Sequence, residues 1–217
     1  MLNKAAGGRT KMNLGPPPNI HAAALLIILI SILVPGLTQA HPHVFIAQKL
    51  HVVFDDSGMA GIKVFWQFDD MFSNMIVMDH DLNQNQAFEP AEVQSIKEKA
   101  FKYISESDYF FSIKINDKPF KVKWVKDFNA RLIYGKLIYE FVIPCHVTAG
   151  LKNTSVTVAS FDPNYYSAIY YVNDKPFSLK GSDPFETRAS ISEDPDNPIF
   201  HGMVNPWTLF LEFKKIQ

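Results

Sequence analysis

From Val44 to Phe68 apolar side chains return at every second residue, a period that only an extended strand turns into one buried face. Val44, Ile46, Leu50, Val52 and Phe54 fall on one side of a first strand, with His41, His43 and Phe45 on the other. Asp55-Asp56-Ser57-Gly58 has turn chemistry, and Ile62, Val64, Trp66 and Phe68 alternate beyond it, so a hairpin is expected. After Asp69 the period lengthens. Met71, Phe72, Met75, Ile76 and Met78 have helical spacing over residues 70–79. Val93, Ile96, Ala100 and Ile104 have it over residues 91–105, and Pro90 suits a first helical turn. Strands are expected again at Tyr109–Asn116, through Phe120, Val122 and Trp124, and at Leu132–Ile143, Ser155–Phe161 and Ala168–Val172. A last strand places Trp207, Leu209, Leu211 and Phe213 on one face, after a long loop rich in Ser, Asp, Pro and Asn at residues 180–205. The string Asn-Asp-Lys-Pro-Phe occurs at residues 116–120 and 173–177; shared turn chemistry explains it more simply than a duplicated unit. The expected fold class is α+β. A single, mainly antiparallel β-sandwich-like domain spans residues 41–217, with a helical insertion at about residues 70–107.

Residues 1–40 have the composition of a secretory signal peptide. Lys4, Arg9 and Lys11 supply positive charge, Ala22 to Val34 form an apolar run, and Pro35 and Gly36 break it. Thr38 and Ala40 put small residues where a signal peptidase reads. A start at Met12 would strip the charges, which favours Met1. The apolar run falls short of the ~20 residues of a membrane span. Cleavage after Ala40 is therefore expected over a retained anchor, leaving a mature chain with no integral membrane span in the periplasm of a Gram-negative bacterium. That cleavage takes away three of the 21 basic residues and none of the 22 acidic ones, so the mature net charge is −4. A mildly acidic chain without a basic run argues against a nucleic-acid partner.

Cleavage would bare His41-Pro42-His43, with a free amine and two imidazoles in one short stretch. On an extended strand the first and third residues project the same way, their Cα atoms about 7 Å apart, so both rings can reach one ion. Pro42 has no N–H, which closes the square-planar chelate built on the deprotonated amides of residues two and three. The amine and ring of His41 then form one chelate and His43 adds a ligand. Imidazole suits Ni, Co, Zn or Cu. The competing reading is a pair of solvated histidines at a frayed terminus. Such a metal site needs further donors. Asp69 at the end of the second strand and Asp162 in Ser-Phe-Asp-Pro-Asn-Tyr-Tyr are the leading candidates, with Asp70, His51, His80, His146 and His201 behind them.

Residues 81–92 carry a second constellation. Laid on a calcium-binding EF-hand loop, Asp81, Asn83 and Asn85 take positions one, three and five, and Ala87 lends its carbonyl at seven. Glu89 is ninth and Glu92 is the closing carboxylate, between two helical patterns. The departure is Gln86, where glycine normally allows a turn with positive φ. A weak calcium site and a polar helix–helix turn that keeps the shape without the ion both remain open. Elsewhere the chemistry is sparse. Cys145 is the lone thiol and reads as a buried small hydrophobe. Trp66, Trp124, Trp207 and the Tyr165-Tyr166 pair are read as core aromatics. There is no glycine-rich phosphate loop, no Gly-x-Ser-x-Gly and no acid–base constellation, so no enzymatic activity is expected.

Five segments together resemble a periplasmic protein family, domain-of-unknown-function family 1007. They are HPHVFI at residues 41–46, WQFDDMFS at 66–73, DLNQNQAFEPAE at 81–92, SDYFFSIKIN at 107–116 and SFDPNYYSAIYY at 160–171. The resemblance implies a periplasmic component of a transport system. Members are often encoded beside nickel/cobalt-type permeases, which implies an inner-membrane metal permease as partner. It marks His41 and His43 as functional positions and Asp81 and Glu92 as loop ends. The expected function is a divalent transition-metal-binding accessory protein of a Ni/Co/Zn-type transport system. Two rivals are a copper-dependent oxidative enzyme built on an amino-terminal histidine and a calcium-stabilised interaction module.

Overall fold

The computed structural model describes residues 42–216, together with His21 and Ala24. The chain divides into Met1–Gln39 and Ala40–Gln217, and the second unit alone is followed below. The expected cleavage site after Ala40, with His41, lies outside the described residues. No helix among the described residues is long and apolar enough to cross a membrane.

The alternating stretch forms β1 (Val44–Asp55) and β2 (Gly58–Phe68), antiparallel across the expected turn. The Asp55 carboxylate organises that turn by accepting from the backbone N–H of Ser57 and Gly58 at 2.8 and 3.1 Å. Gly58 has φ +151°, and a Cβ there would sit 2.2 Å from the Val147 carbonyl oxygen, so the turn requires glycine. Two α-helices follow, α1 (Asp70–His80) and α2 (Pro90–Lys99), then a 3₁₀ stretch at Phe101–Phe110. The remaining strands are β3 (Phe111–Ile115), β4 (Lys118–Phe120), β5 (Lys126–Ile133), β6 (Lys136–Ile143), β7 (Val147–Thr148), β8 (Thr154–Ser160), β9 (Ser167–Tyr171), β10 (Phe177–Lys180), β11 (Phe185–Glu193) and β12 (Trp207–Lys215).

The strands make two sheets. One has the order β10-β1-β2-β6-β5, with β9 on the β10 edge of β1 and β7 on β2. The other runs β11-β12-β8-β3-β4 and is antiparallel throughout. Their apolar faces meet in one core. Phe54 of β1 meets Phe213 of β12 edge-on at 5.2 Å, and Trp66 of β2 stacks on Phe111 of β3 at 5.8 Å. Where the second sheet ends, the helical insertion covers the same face. Phe72 stacks on Phe68 at 4.7 Å, and Phe101 reaches Phe128, Tyr139 and Phe141. The class is thus α+β and mainly antiparallel, as the periodicity indicates.

Several local expectations need correction. Leu132–Ile143 is a hairpin rather than one strand, because Tyr134 and Gly135, at φ +52° and +76°, make a tight turn of the kind that matches strand twist. The loop expected at residues 180–205 contains β11, whose polar residues face solvent at a sheet edge while Phe185 is buried. Phe120–Trp124 keeps strand form only to Phe120. Tyr109 belongs to the 3₁₀ stretch. Trp66 is core, but Trp124, Trp207, Tyr165 and Tyr166 are exposed. Parallel pairing of β1 with β9 and β10 was also not legible, since each registers on β1 through a long crossover.

Ser73 pins α1 to the sheet. It is fully buried, donates its hydroxyl to the Asp69 carbonyl at 2.6 Å and accepts the Leu137 N–H at 2.9 Å. Ser73→Ala leaves that strand N–H unpaired and is expected to lower unfolding stability by about 1–3 kcal/mol, read as a shifted urea midpoint at unchanged slope.

Candidate functional site

One carboxylate holds the start of β1 on its β2 side, and a second fixes the turn into β9 on the other side. On the β2 side, Asp69 accepts the Phe45 N–H at 2.6 Å and the Phe72 N–H at 2.9 Å, while its own N–H donates to the Phe45 carbonyl at 3.0 Å. The same carboxylate therefore closes the strand pair and caps α1. On the β9 side, buried Asp162 accepts the N–H groups of Asn164 and Ser167 at 2.9 and 3.0 Å, fixing the turn into β9. The His43 N–H donates to the Tyr166 carbonyl at 2.8 Å, and the two rings lie 5.1 Å apart. His43 itself is exposed, on the face opposite Val44. Phe200 packs edge-on against Tyr165 at 4.7 Å, which docks the turn carrying His201 beside the same loop. Sequence neighbours far apart thus converge on one strand end. Among the described residues, however, no group of three or more His, Cys, Asp or Glu side chains is placed to hold a metal ion.

The other histidines are occupied elsewhere. His51 Nδ1 lies 2.7 Å from the Ser178 hydroxyl on β10, His80 Nδ1 lies 3.1 Å from Ser95, and His146 sits by Ser57 and Asp55. Asp70 pairs with Lys136 on the surface. Cys145 is fully buried, and burial pushes its thiol up to about 11, as expected of an inert core residue.

Between α1 and α2, residues 81–89 form a loop stitched by its own side chains. Asp81 is buried and accepts the N–H groups of Asn85 and Gln86 at 3.1 and 2.9 Å. Asn83 accepts from Asn85, and Asn85 from Ala87. Buried Glu92 takes the Leu82 N–H at 2.9 Å with one oxygen and the Glu89 N–H at 3.0 Å with the other, tying the loop's two ends together. Side-chain hydrogen bonding with Glu92, and then with Asn85 and Asn83, holds the Glu89 carboxyl down at about 2. Gln86 sits at φ +60°. The turn normally assigned to glycine is made without one, at a backbone cost of roughly 1–2 kcal/mol.

A further feature was not legible in the sequence. Asp108, Tyr109 and Phe110 have successive φ values of +49°, +56° and +65°. Three left-handed residues in a row are costly for side-chain-bearing residues. Phe110 lines a cavity of about 200 Å³ between the inner face of the first sheet and the helical insertion. No pattern of residue types marks such a segment in advance.

The model of the family described as "Protein of unknown function (DUF1007)" matches residues 26–199. The chain belongs to this family. Two relatives lie at similar distance from this DUF1007 member. An uncharacterized 15.5 kDa protein of Spirochaeta aurantia is 25% identical over 136 residues, 63% of this chain and 96% of the relative. An uncharacterized protein of Haemophilus influenzae is 24% identical over 149 residues, 67% of this chain and 70% of the relative. The matched span includes the β1 start, the 81–92 loop and the Asp162 turn.

Two outcomes follow. Gln86→Gly relieves the positive φ and is expected to stabilise the protein by about 0.5–1 kcal/mol, read in urea unfolding; destabilisation would mean the glutamine side chain has a contact that matters. Burial is the first cause lowering His51 and His80 below the ordinary 6.5, with neighbouring lysines adding to it at His51. The unfolded chain then binds protons first on acidification. The stability these two contribute is complete above the unfolded value and is lost as pH falls from it through the folded values. The urea midpoint should fall on acidification from about pH 7 to about pH 5.5, and less steeply in His51→Gln/His80→Gln.

Proposed function

We propose that this DUF1007 member is an exported, periplasmic accessory protein that binds a divalent transition metal and exchanges it with an inner-membrane permease. One observation carries the reading most. An exposed imidazole, His43, directly precedes β1, fixed in backbone by Tyr166 and bracketed by the Asp69 and Asp162 turns. Leader removal after Ala40 would put the amine and ring of His41 two residues before it, on the same side of the strand. Three nitrogens on a rigid edge suit Ni, Co, Zn or Cu. Asp69 and Asp162 keep their carboxylates in backbone hydrogen bonds, so in this reading they position the site. The chemistry in this reading is ligand exchange rather than bond breaking. In the same reading residues 41–217 form the mature domain.

The loop supports a second, compatible role. Its hydrogen bonds fall at Asp81, Asn83, Asn85 and Glu92 in the order of an EF-hand-like hairpin, and Gln86 adopts the φ that glycine would supply. Weak calcium binding there would steady the insertion.

Equilibrium dialysis of protein beginning at His41 tests the first role. One equivalent of Ni, Co, Zn or Cu is expected to bind, with a loss of at least about tenfold in affinity in His43→Ala. Equal uptake by wild type and variant would refute it. For the loop, calcium should raise the melting temperature of wild type and not of Asp81→Asn/Glu92→Gln.

A further inference from the structure

The cavity beneath the β1 start has the size and chemistry of a ligand site. Its floor is the inner face of the first sheet, from Ile46, Trp66, Phe68 and Tyr139; its roof is Phe72 of α1 and Phe110 of the 3₁₀ stretch. At about 200 Å³ it exceeds the roughly 150 Å³ of an engineered apolar cavity that takes up benzene. Aromatic rings dominate its wall. Four of them already stack in two pairs, Phe68 with Phe72 and Trp66 with Phe110. A flat ring is thus the shape these surfaces accept.

The wall also holds an unpaired polar group. Tyr139 is 3% exposed, and its buried hydroxyl has no hydrogen-bond partner. A buried hydroxyl without a partner costs on the order of 1–3 kcal/mol. Burial raises the phenol above its ordinary value, so it is a neutral donor and acceptor across the physiological range. The carboxylate of Asp162, also in the wall, is already taken by the Asn164 and Ser167 N–H groups. Of the buried polar side-chain atoms in the wall, the Tyr139 hydroxyl alone lacks a partner among the described residues. Backbone strain points to the same place, since the three left-handed residues end at Phe110, which the cavity wall needs in that position. Tyr166 completes the rim and lies against His43, so the cavity adjoins the proposed metal site without depending on it.

We propose that this cavity binds a small monocyclic aromatic bearing one hydroxyl, its ring among Trp66, Phe68, Phe72 and Phe110 and its oxygen hydrogen-bonded to Tyr139. Phenol and toluene are suitable probes, because they match in shape and differ in the hydroxyl. Titration of the full mature chain, followed through the Trp66 indole N–H resonance, should give saturable binding of both. Tyr139→Phe removes the hydroxyl and keeps the ring. It should move the phenol-to-toluene affinity ratio towards toluene by roughly three- to tenfold. Ala100→Leu, which adds volume in the cavity wall, should weaken both probes by more than about tenfold. No saturable binding of either probe, as expected were the cavity to hold water alone, would overturn the proposal. An affinity ratio unchanged by Tyr139→Phe would overturn it as well. Should Ala100→Leu fail to fold, the isosteric Tyr139→Phe comparison decides alone.

Discussion

Backbone pairing along both edges of β1 is the constraint on which the rest of the molecule depends. β2 occupies one edge from Ile46 to Asp55, and β9 and β10 share the other in parallel register. A strand paired twice and buried on one face cannot slip by a residue without turning Val44, Ile46, Leu50, Val52 and Phe54 to solvent. That fixes the direction of His43 and the position of the loops at the strand's start. Asp69 and Asp162 then complete the arrangement locally. Each spends its carboxylate on backbone N–H groups that the strand end would otherwise leave unpaired.

The same region joins three features that the chain keeps far apart in sequence. The His43 edge, the aromatic cavity roofed by the insertion, and the Phe200–His201 turn all meet around Tyr165 and Tyr166. The 81–92 loop stands apart from them in role. It ties α1 to α2 through Asp81 and Glu92, and the insertion in turn makes the roof of the cavity through Phe72 and Phe110. Loop stability and cavity shape are therefore linked through the helices.

Much of this was legible in the sequence where one period ran long enough to be unambiguous. The β1–β2 hairpin, α1 and α2 follow from alternation and helical spacing, whereas Asp69 and Asp162, read from the sequence as further metal donors that could approach the first strand's start, are found bonded to backbone N–H groups. Their hydrogen bonds were not foreseeable, because an aspartate at a strand end caps a helix or ligates an ion with the same residue type. β11 escaped notice because an edge strand can be polar on one face and short of apolar signal on the other. Trp124 lies beyond the end of β4, and exposed Trp207 opens β12 on the same parity as buried Leu209, so alternation does not say where along a strand the cover ends. The left-handed run at Asp108–Phe110 and the unpaired Tyr139 hydroxyl arise from tertiary packing, which no local pattern encodes.

The central claim is that an amino-terminal histidine and His43 jointly ligate one ion at a rigid strand edge. X-ray absorption on the zinc- or nickel-loaded chain beginning at His41 reads that first shell directly. The account predicts a nitrogen shell with two imidazoles per metal, reduced to one in His43→Ala. A shell of oxygen alone, or one unchanged by His43→Ala, would contradict it.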